Sequence, residues 1–369
     1  MRKIIISMEE AGQRLDKAAG KYLPEAPMGF IYKMIRKKNI TLNGKRASGN
    51  EKLSPGDSVK FWLSDETIEK FRPAAASDRA ARSSSASSGP RKSLSVIYED
   101  SDLLFINKPA GVLSQKAEAD DFSLNEMLQE YLISNGALTE AQLDLLRPSV
   151  CNRLDRNTSG LITAGKSIRG LKFLTAGFRD RSFSKYYLCL VKGEVKAPAK
   201  IEGYLSKDQG TNTAVITESG DHSSRKIETC YTPVFTGKLP ETLPACRRYL
   251  EKHPSEGCLT LLKVHLITGR THQIRAHLAS AGYPVAGDLK YGDEDLNRCL
   301  RDCAGVRRQL LHSSELVMPD LSGEWEYLSG RSFSAPVPKD FYKALELIGG
   351  SDKCLHGIPE ASGDPSSRK

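Results

Sequence analysis

Apolar positions recur along this chain in two rhythms, and the changes of rhythm mark its elements. Over residues 13–22, Leu15, Ala18, Ala19 and Tyr22 fall at helical spacing and predict a short amphipathic helix. Residues 30–38 predict a second helix, with Ile31, Met34 and Ile35 apolar against Lys33, Arg36, Lys37 and Lys38. The stretch ITLNGKRA then carries Asn43-Gly44, the pair that a tight hairpin turn favours because both positions take positive φ. Leu53-Ser54-Pro55-Gly56-Asp57 predicts another turn, and SVKFWL alternates as a strand does.

The rhythm stops at FRPAAASDRAARSSSASSGPRKSLS, residues 71–95. This stretch is basic, rich in Ala and Ser, and almost without large apolar side chains. It cannot bury enough surface to offset the entropy of ordering, so it is expected to be a flexible linker. Beyond it, residues 96–107 (VIYEDSDLLFIN) predict two strands around an acidic turn, and Lys108-Pro109-Ala110-Gly111 breaks the pattern. Ser123 and Glu126 stand at capping-box spacing and open a helix expected to run to about residue 135 and stop at Gly136. SKYYLCLVK (Ser184–Lys192) and CLTLLKVHL (Cys258–Leu266) are predicted strands. Residues 271–281 are predicted helical, closed by Gly282. Strands and helices do not alternate as βαβ units. The expected class is α+β, a mixed and mostly antiparallel central sheet with flanking helices, preceded by a small N-terminal α/β unit. The expected division is a unit over 1–68, a linker over 69–95, the main domain over 96–346 and a polar tail over 347–369.

Length and charge narrow the class. A chain of 369 residues agrees with about two domains. No apolar run reaches the roughly 18 residues of a membrane span, and the N-terminal apolar stretch is too short for a secretory signal. The cytoplasm is the expected compartment. The net charge of +9 favours a polyanionic partner. In particular, Arg36, Lys37, Lys38, Lys45 and Arg46 gather on the second helix and the turn after it. A solvated charged helix is the bland account of that cluster, and RNA binding is the favoured one.

Several common catalytic devices are missing. The sequence has no P-loop, no Gly-x-Gly-x-x-Gly and no Gly-x-Ser-x-Gly. The eight cysteines form no Cys-x-x-Cys pair. Cys299 and Cys303 are four apart, but no second pair at ligand spacing accompanies them, so reduced structural thiols are expected. His272 and His277 are five apart on a predicted helix and point to different faces; with His265 they include no carboxylate. Neither a metal nor a cofactor is expected.

What chemistry remains lies in NRLDRNTSG, residues 152–160, and TGRTHQIRAHL, residues 268–278. Asp155 has two readings: an acceptor of backbone hydrogen bonds in a turn, or a reactive carboxylate. Arg275 follows His272 by three residues, on the neighbouring helical turn. An arginine beside a carboxylate favours the charged, nucleophilic form, although a structural salt bridge has the same sequence signature.

Together these segments resemble the RluA-type family of ribosomal large-subunit pseudouridine synthases. That family's first motif, His-Arg-Leu-Asp-x-x-Thr-Ser-Gly, matches Asn152 to Gly160 except that Asn152 stands for the histidine. Its second, Lys-x-Tyr-x-Ala, matches Lys185 to Cys189, with Cys189 in place of alanine and Tyr187 as the motif tyrosine. Its third matches Gly269 to Leu278, and Asn107 to Gly111, Gly287-Asp288, Tyr291-Gly292 and Leu311-His312 also agree. Residues 12–63 separately resemble the small RNA-binding domain named after ribosomal protein S-four, through QRLDK, IYKMIRKKNITLNGK and LSPGDSVKF.

The resemblance implies conversion of uridine to pseudouridine in RNA, most of all ribosomal RNA, by a monomer without a cofactor. It implies Asp155 as the catalytic carboxylate, acting on the sugar or on the ring, and Arg153 as the side chain that supports the flipped-out base. Arg275 would orient Asp155, and Tyr187 would stack on the base and accept a proton. Asn152, Arg270 and His272 would contact substrate. Asn152 cannot titrate, so proton transfer at that position is excluded. Two alternatives stay open: an inactive RNA-binding assembly factor, and the same chemistry on transfer RNA.

Overall fold

A computed structural model of the protein describes residues 1–72, 93–118, 121–208, 210, 213–217, 219–220 and 224–354. Most of the expected linker and the end of the expected tail lie outside the described residues. The N-terminal unit runs β1 (Arg2–Ile5), α1 (Leu15–Tyr22), α2 (Met28–Arg36), β2 (Ile40–Leu42), β3 (Ser58–Phe61) and α3 (Asp65–Phe71). Both helices lay their predicted apolar sides into one core: Leu15, Ala19, Ile31 and Ile35 pack with Ile40, Val59 and Phe61. The strands form an antiparallel sheet in the order β1-β3-β2.

Asn43 and Gly44 take φ of 52° and 74°, as the turn requires. The expected hairpin nevertheless reduces to a single bridge between Leu42 and Lys45. β2 pairs instead with β3, whose Val59 and Phe61 alternate into the core. The end of the unit also differs from expectation. Ser64 caps α3 by accepting from Thr67 N, so the boundary drawn at residue 68 falls inside a helix.

The main domain opens with β4 (Val96–Glu99) and β5 (Leu103–Lys108). Asp100 Oδ1 closes the acidic turn between them by accepting from the amides of Asp102 and Leu103 at 2.8 and 2.7 Å. Helix α4 (Leu124–Ser134) starts on the predicted capping box, with both halves formed. The chain continues through α5 (Glu140–Leu146), β6 (Ser149–Val150), β7 (Ser159–Gly165), α6 (Ile168–Asp180) and β8 (Ser184–Lys192). Then come β9 (Ala199–Asp208), β10 (Thr213–Thr217), β11 (Arg225–Lys238), α7 (Pro244–Lys252) and β12 (Cys258–Leu266). Helix α8 (Gln273–Ser280), helix α9 (Glu294–Ala304), β13 (Leu311–Val317), β14 (Ser332–Ser334) and α10 (Lys339–Leu347) complete it.

Nine strands follow one another in the order β10-β9-β11-β12-β8-β13-β7-β5-β4, with β14 beside β13 and β6 beside β7. Among the strands of the described residues only β13 and β7 pair in parallel; the fold is the expected α+β with a mostly antiparallel sheet. In the middle of the sheet both faces are buried. On β8, Tyr187, Cys189 and Val191 enter one core, while Leu188 and Leu190 enter another beneath α7, α9 and α10. The seam between β7 and β13 is unusually close. A Cβ on Gly160, whose φ is +110°, would stand 2.1 Å from Ser313 O. That close approach sets the strand emerging from the Asp155 loop directly against β13. No helix among the described residues is long and apolar enough to cross a membrane.

Candidate active site

The loop before β7 is fixed at several points, and each fixes the next. Cys151 N donates to Thr163 O at 2.7 Å. Asn152 Oδ1 accepts from Thr163 N at 2.8 Å and from Thr163 Oγ1 at 3.1 Å. The motif position expected to contact substrate is therefore turned back onto β7 and holds the loop in place. Leu154 is buried, and its amide and carbonyl both bond to Ser114 Oγ, at 3.0 and 2.8 Å.

Thr158 N closes the following turn onto Asp155 O, the main-chain oxygen, at 3.1 Å. The turn is thus made by backbone, and the Asp155 carboxylate projects elsewhere. Its Oδ2 accepts from Arg275 Nη1 at 2.8 Å.

Arg275 sits on the first turn of α8. The helix begins at Gln273 because His272, at φ 58°, is left-handed and serves as its N-cap. This is two residues later than the sequence pattern predicts. Beyond Asp155, Arg275 donates Nε and Nη2 to the two oxygens of Asp288 at 2.6 and 2.8 Å, a bidentate pair with the Asp288 side chain fully buried. Lys290 N and Tyr291 N complete the Asp288 shell at 2.8 and 3.2 Å. Burial opposes the Asp288 charge, but the Arg275 bonds and charge and the two amides hold its pKa below the ordinary carboxylate range. Burial opposes the Arg275 charge too, and Asp288 and then Asp155 outweigh it, so the guanidinium stays charged.

His272 joins from the side. Its Nε2 lies 3.9 Å from Asp155 Oδ2 and its Nδ1 3.0 Å from the Tyr291 hydroxyl. Burial lowers its pKa against the opposing pull of Asp155 and so favours the neutral ring. The Tyr291 hydroxyl also accepts from Ala214 N on β10 at 2.6 Å, and its ring lies 5.2 Å from the Arg275 guanidinium carbon. His277 is separate: it is buried, with Nδ1 3.0 Å from Thr229 Oγ1.

Tyr187 is buried on β8, where burial, against a Ser313 hydrogen bond and with the Asp155 charge, pushes its pKa up to about 12. Arg153 and Arg270 are exposed. Arg36, Lys37, Lys38, Lys45 and Arg46 are exposed on the N-terminal unit, near neither Asp155 nor Arg275 in sequence.

Lys108, which the sequence leaves outside the expected site, is fully buried at the end of β5. Its Nζ donates to the carbonyls of Pro109, Val112 and Arg156 at 3.0, 2.8 and 3.1 Å. The ammonium thereby clasps the Asp155 loop from below. Burial first, and then the Arg308 charge, lower its pKa to about 7, with Asp155 opposing. The three carbonyls also favour the charged form, since they match its three N–H bonds.

The model of the RNA pseudouridylate synthase family matches residues 102–280. The ribosomal large subunit pseudouridine synthase C of Escherichia coli (strain K12) is 30% identical over 322 residues, covering 85% of this chain and 87% of that protein. The chain belongs to the RNA pseudouridylate synthase family. Its likeness to the synthase C of Vibrio vulnificus, 29% identical, spans 93% of this chain and 96% of that one. Among solved structures, human RNA pseudouridylate synthase domain containing 4 superposes with a TM-score of 0.51 at 18% identity, over 69% of this chain and 93% of that one, a likeness of fold.

Sequence reasoning found Asp155, Arg275 and His272 and left Asp288, Tyr291 and Lys108 without roles. Asp288 and Tyr291 stood in a noted segment, but nothing in their spacing shows that they close around Arg275 and His272.

Proposed function

We propose that this synthase isomerises uridine to pseudouridine in large-subunit ribosomal RNA, with Asp155 as the catalytic carboxylate. The observation that carries the assignment is the division of labour within Asp155: the main chain makes the turn, and the carboxylate meets Arg275 at 2.8 Å. In the reaction the N1–C1′ bond breaks and a C5–C1′ bond forms. The C5 proton leaves and N1 gains a proton, so nothing is oxidised and no outside group is consumed. The target nucleotide must first leave its stack, at a cost of a few kcal/mol. Arg153, which is exposed, supports that extruded geometry, and exposed Arg270 contacts phosphate. Arg275 orients the Asp155 carboxylate for attack at the sugar or the ring. Tyr187, neutral at pH 7, stacks against the base and offers a hydroxyl rather than a phenolate.

The N-terminal unit through α3, with the exposed Arg36, Lys37, Lys38, Lys45 and Arg46, grips the RNA outside the catalytic domain, and the chain from there to residue 95 links the two. Ribosomal RNA is favoured over transfer RNA because the relatives at about this chain's length are named for the ribosomal large subunit. The test is incubation of the purified protein with large-subunit ribosomal RNA and, separately, transfer RNA, followed by pseudouridine mapping. The expected product is pseudouridine in the ribosomal RNA. Modification of transfer RNA alone would reassign the substrate, and no product in either would overturn the activity.

A further inference from the structure

In the core that Leu188 and Leu190 enter, a third thiol joins the pair that sequence spacing left isolated. Cys246 on α7 lies with Sγ 3.5 Å from Cys303 Sγ and 3.6 Å from Cys299 Sγ, both on α9. All three sulfurs lie within 4.8 Å of one another. Thiolates bound tetrahedrally at about 2.3 Å from zinc stand about 3.8 Å apart, so little movement separates this triangle from a ligand set. A groove of about 460 Å³ opens beside it, lined by Cys303, Ala304, Gly305, Lys343, Glu346 and Leu347. Cys246 and Cys299 are buried and Cys303 is half-buried, so the groove offers an entry path through Cys303.

We propose that Cys246, Cys299 and Cys303 bind one thiophilic divalent cation of the zinc class, with its fourth position open to this groove. Binding breaks three S–H bonds and forms three sulfur–metal bonds; three protons leave to solvent and no redox step occurs. A water or the Glu346 carboxylate has the chemistry for the fourth position. Burial raises the thiol pKa of Cys246 and of Cys299, and the three side chains pack as small apolar groups between α7 and α9.

The site ties α7 to α9, and α9 supports the catalytic loop. Asn297 Oδ1 accepts from Gly287 N at 2.7 Å, and Asn297 Nδ2 donates to Asp288 O at 2.8 Å. A cation at the thiols therefore braces the helix that anchors the Asp288 segment. Its role is structural and is separate from the chemistry at Asp155.

The test uses the full chain, reduced and stripped with a chelator, titrated with Co²⁺ alone and then with Zn²⁺. One equivalent of Co²⁺ is expected to give a thiolate-to-cobalt charge-transfer band that Zn²⁺ abolishes, and Zn²⁺ is expected to raise the melting temperature. Cys303→Ser, at the half-buried corner, is expected to lose the band, while Cys230→Ser, on β11, keeps it. The proposal is overturned if the reduced wild type shows neither band nor thermal shift, or if Cys303→Ser leaves the band intact. A Cys246–Cys303 disulfide that forms in air and blocks uptake without any cation binding in the reduced protein also overturns it.

Discussion

Replacing Asp288 with asparagine asks whether Arg275 is held from behind. Four N–H groups converge on Asp288: Arg275 Nε and Nη2 at 2.6 and 2.8 Å, Lys290 N at 2.8 Å and Tyr291 N at 3.2 Å. Asparagine keeps the oxygen that takes Nη2 and the two amides, but it sets an NH₂ donor against the Arg275 Nε donor. Removing one partner of a buried ion pair costs about 3–5 kcal/mol, because the remaining charge is left uncompensated. Asp155 still faces Arg275, so the lower end, about 3 kcal/mol, is expected. The guanidinium should swing from its place, and a displacement of about 1 Å at a positioned group can cost on the order of 100-fold in rate. Urea unfolding gives the stability, and single-turnover pseudouridine formation at a temperature where both proteins are folded gives the rate. Stability within about 0.5 kcal/mol of wild type, together with an unchanged rate, would refute the clamp. The pH dependence has a definite sign. The folded pKa of Asp288 is lowered, so its stabilisation is present above the ordinary carboxylate value and is lost as pH falls through the lower folded value.

Two further outcomes are expected. Gly160→Ala places a Cβ 2.1 Å from Ser313 O at a φ of +110°, which forces β7 from β13; a loss of about 3 kcal/mol or more should appear in thermal melts, and a normal melting temperature would count against the close seam. Lys108 has a folded pKa near 7 against an ordinary 10.5, so between those values the unfolded chain holds more protons and stability rises with pH. The slope is at most about 1.4 kcal/mol per pH unit, and urea unfolding at several pH values should show it in the wild type and not in Lys108→Met.

Where apolar spacing was strong, the sequence already carried the structure. The strands at Ser184–Lys192 and Cys258–Leu266 form with the expected bounds, and so does the capping box at Ser123. β7 escaped notice because it is buried on both faces and so has no alternation. β9 and β11 do alternate, with Ile201 and Leu205 and then Ile227 and Tyr231 turned inward, but their other face is charged, with Lys200 and Lys226 paired to Glu202 and Glu228 across the two strands, a pairing no spacing within either strand reveals. In the site, Asp155 and Arg275 were legible as residue types. Their meeting depends on β7 and α8 converging across 120 residues, which only the sheet order provides. Lys108 misled because lysine is rarely buried; three carbonyls at the end of β5 make the exception. The Cys246 triangle was hidden for the same reason as the Asp155 pair, since its third member arrives from another helix.

The central claim is that the Asp155 carboxylate performs the isomerisation. It is tested most directly by mapping pseudouridine in ribosomal RNA incubated with Asp155→Asn, with RNA binding measured in parallel. The expected result is binding close to wild type and no pseudouridine. Pseudouridine formed at the wild-type rate by Asp155→Asn would contradict it.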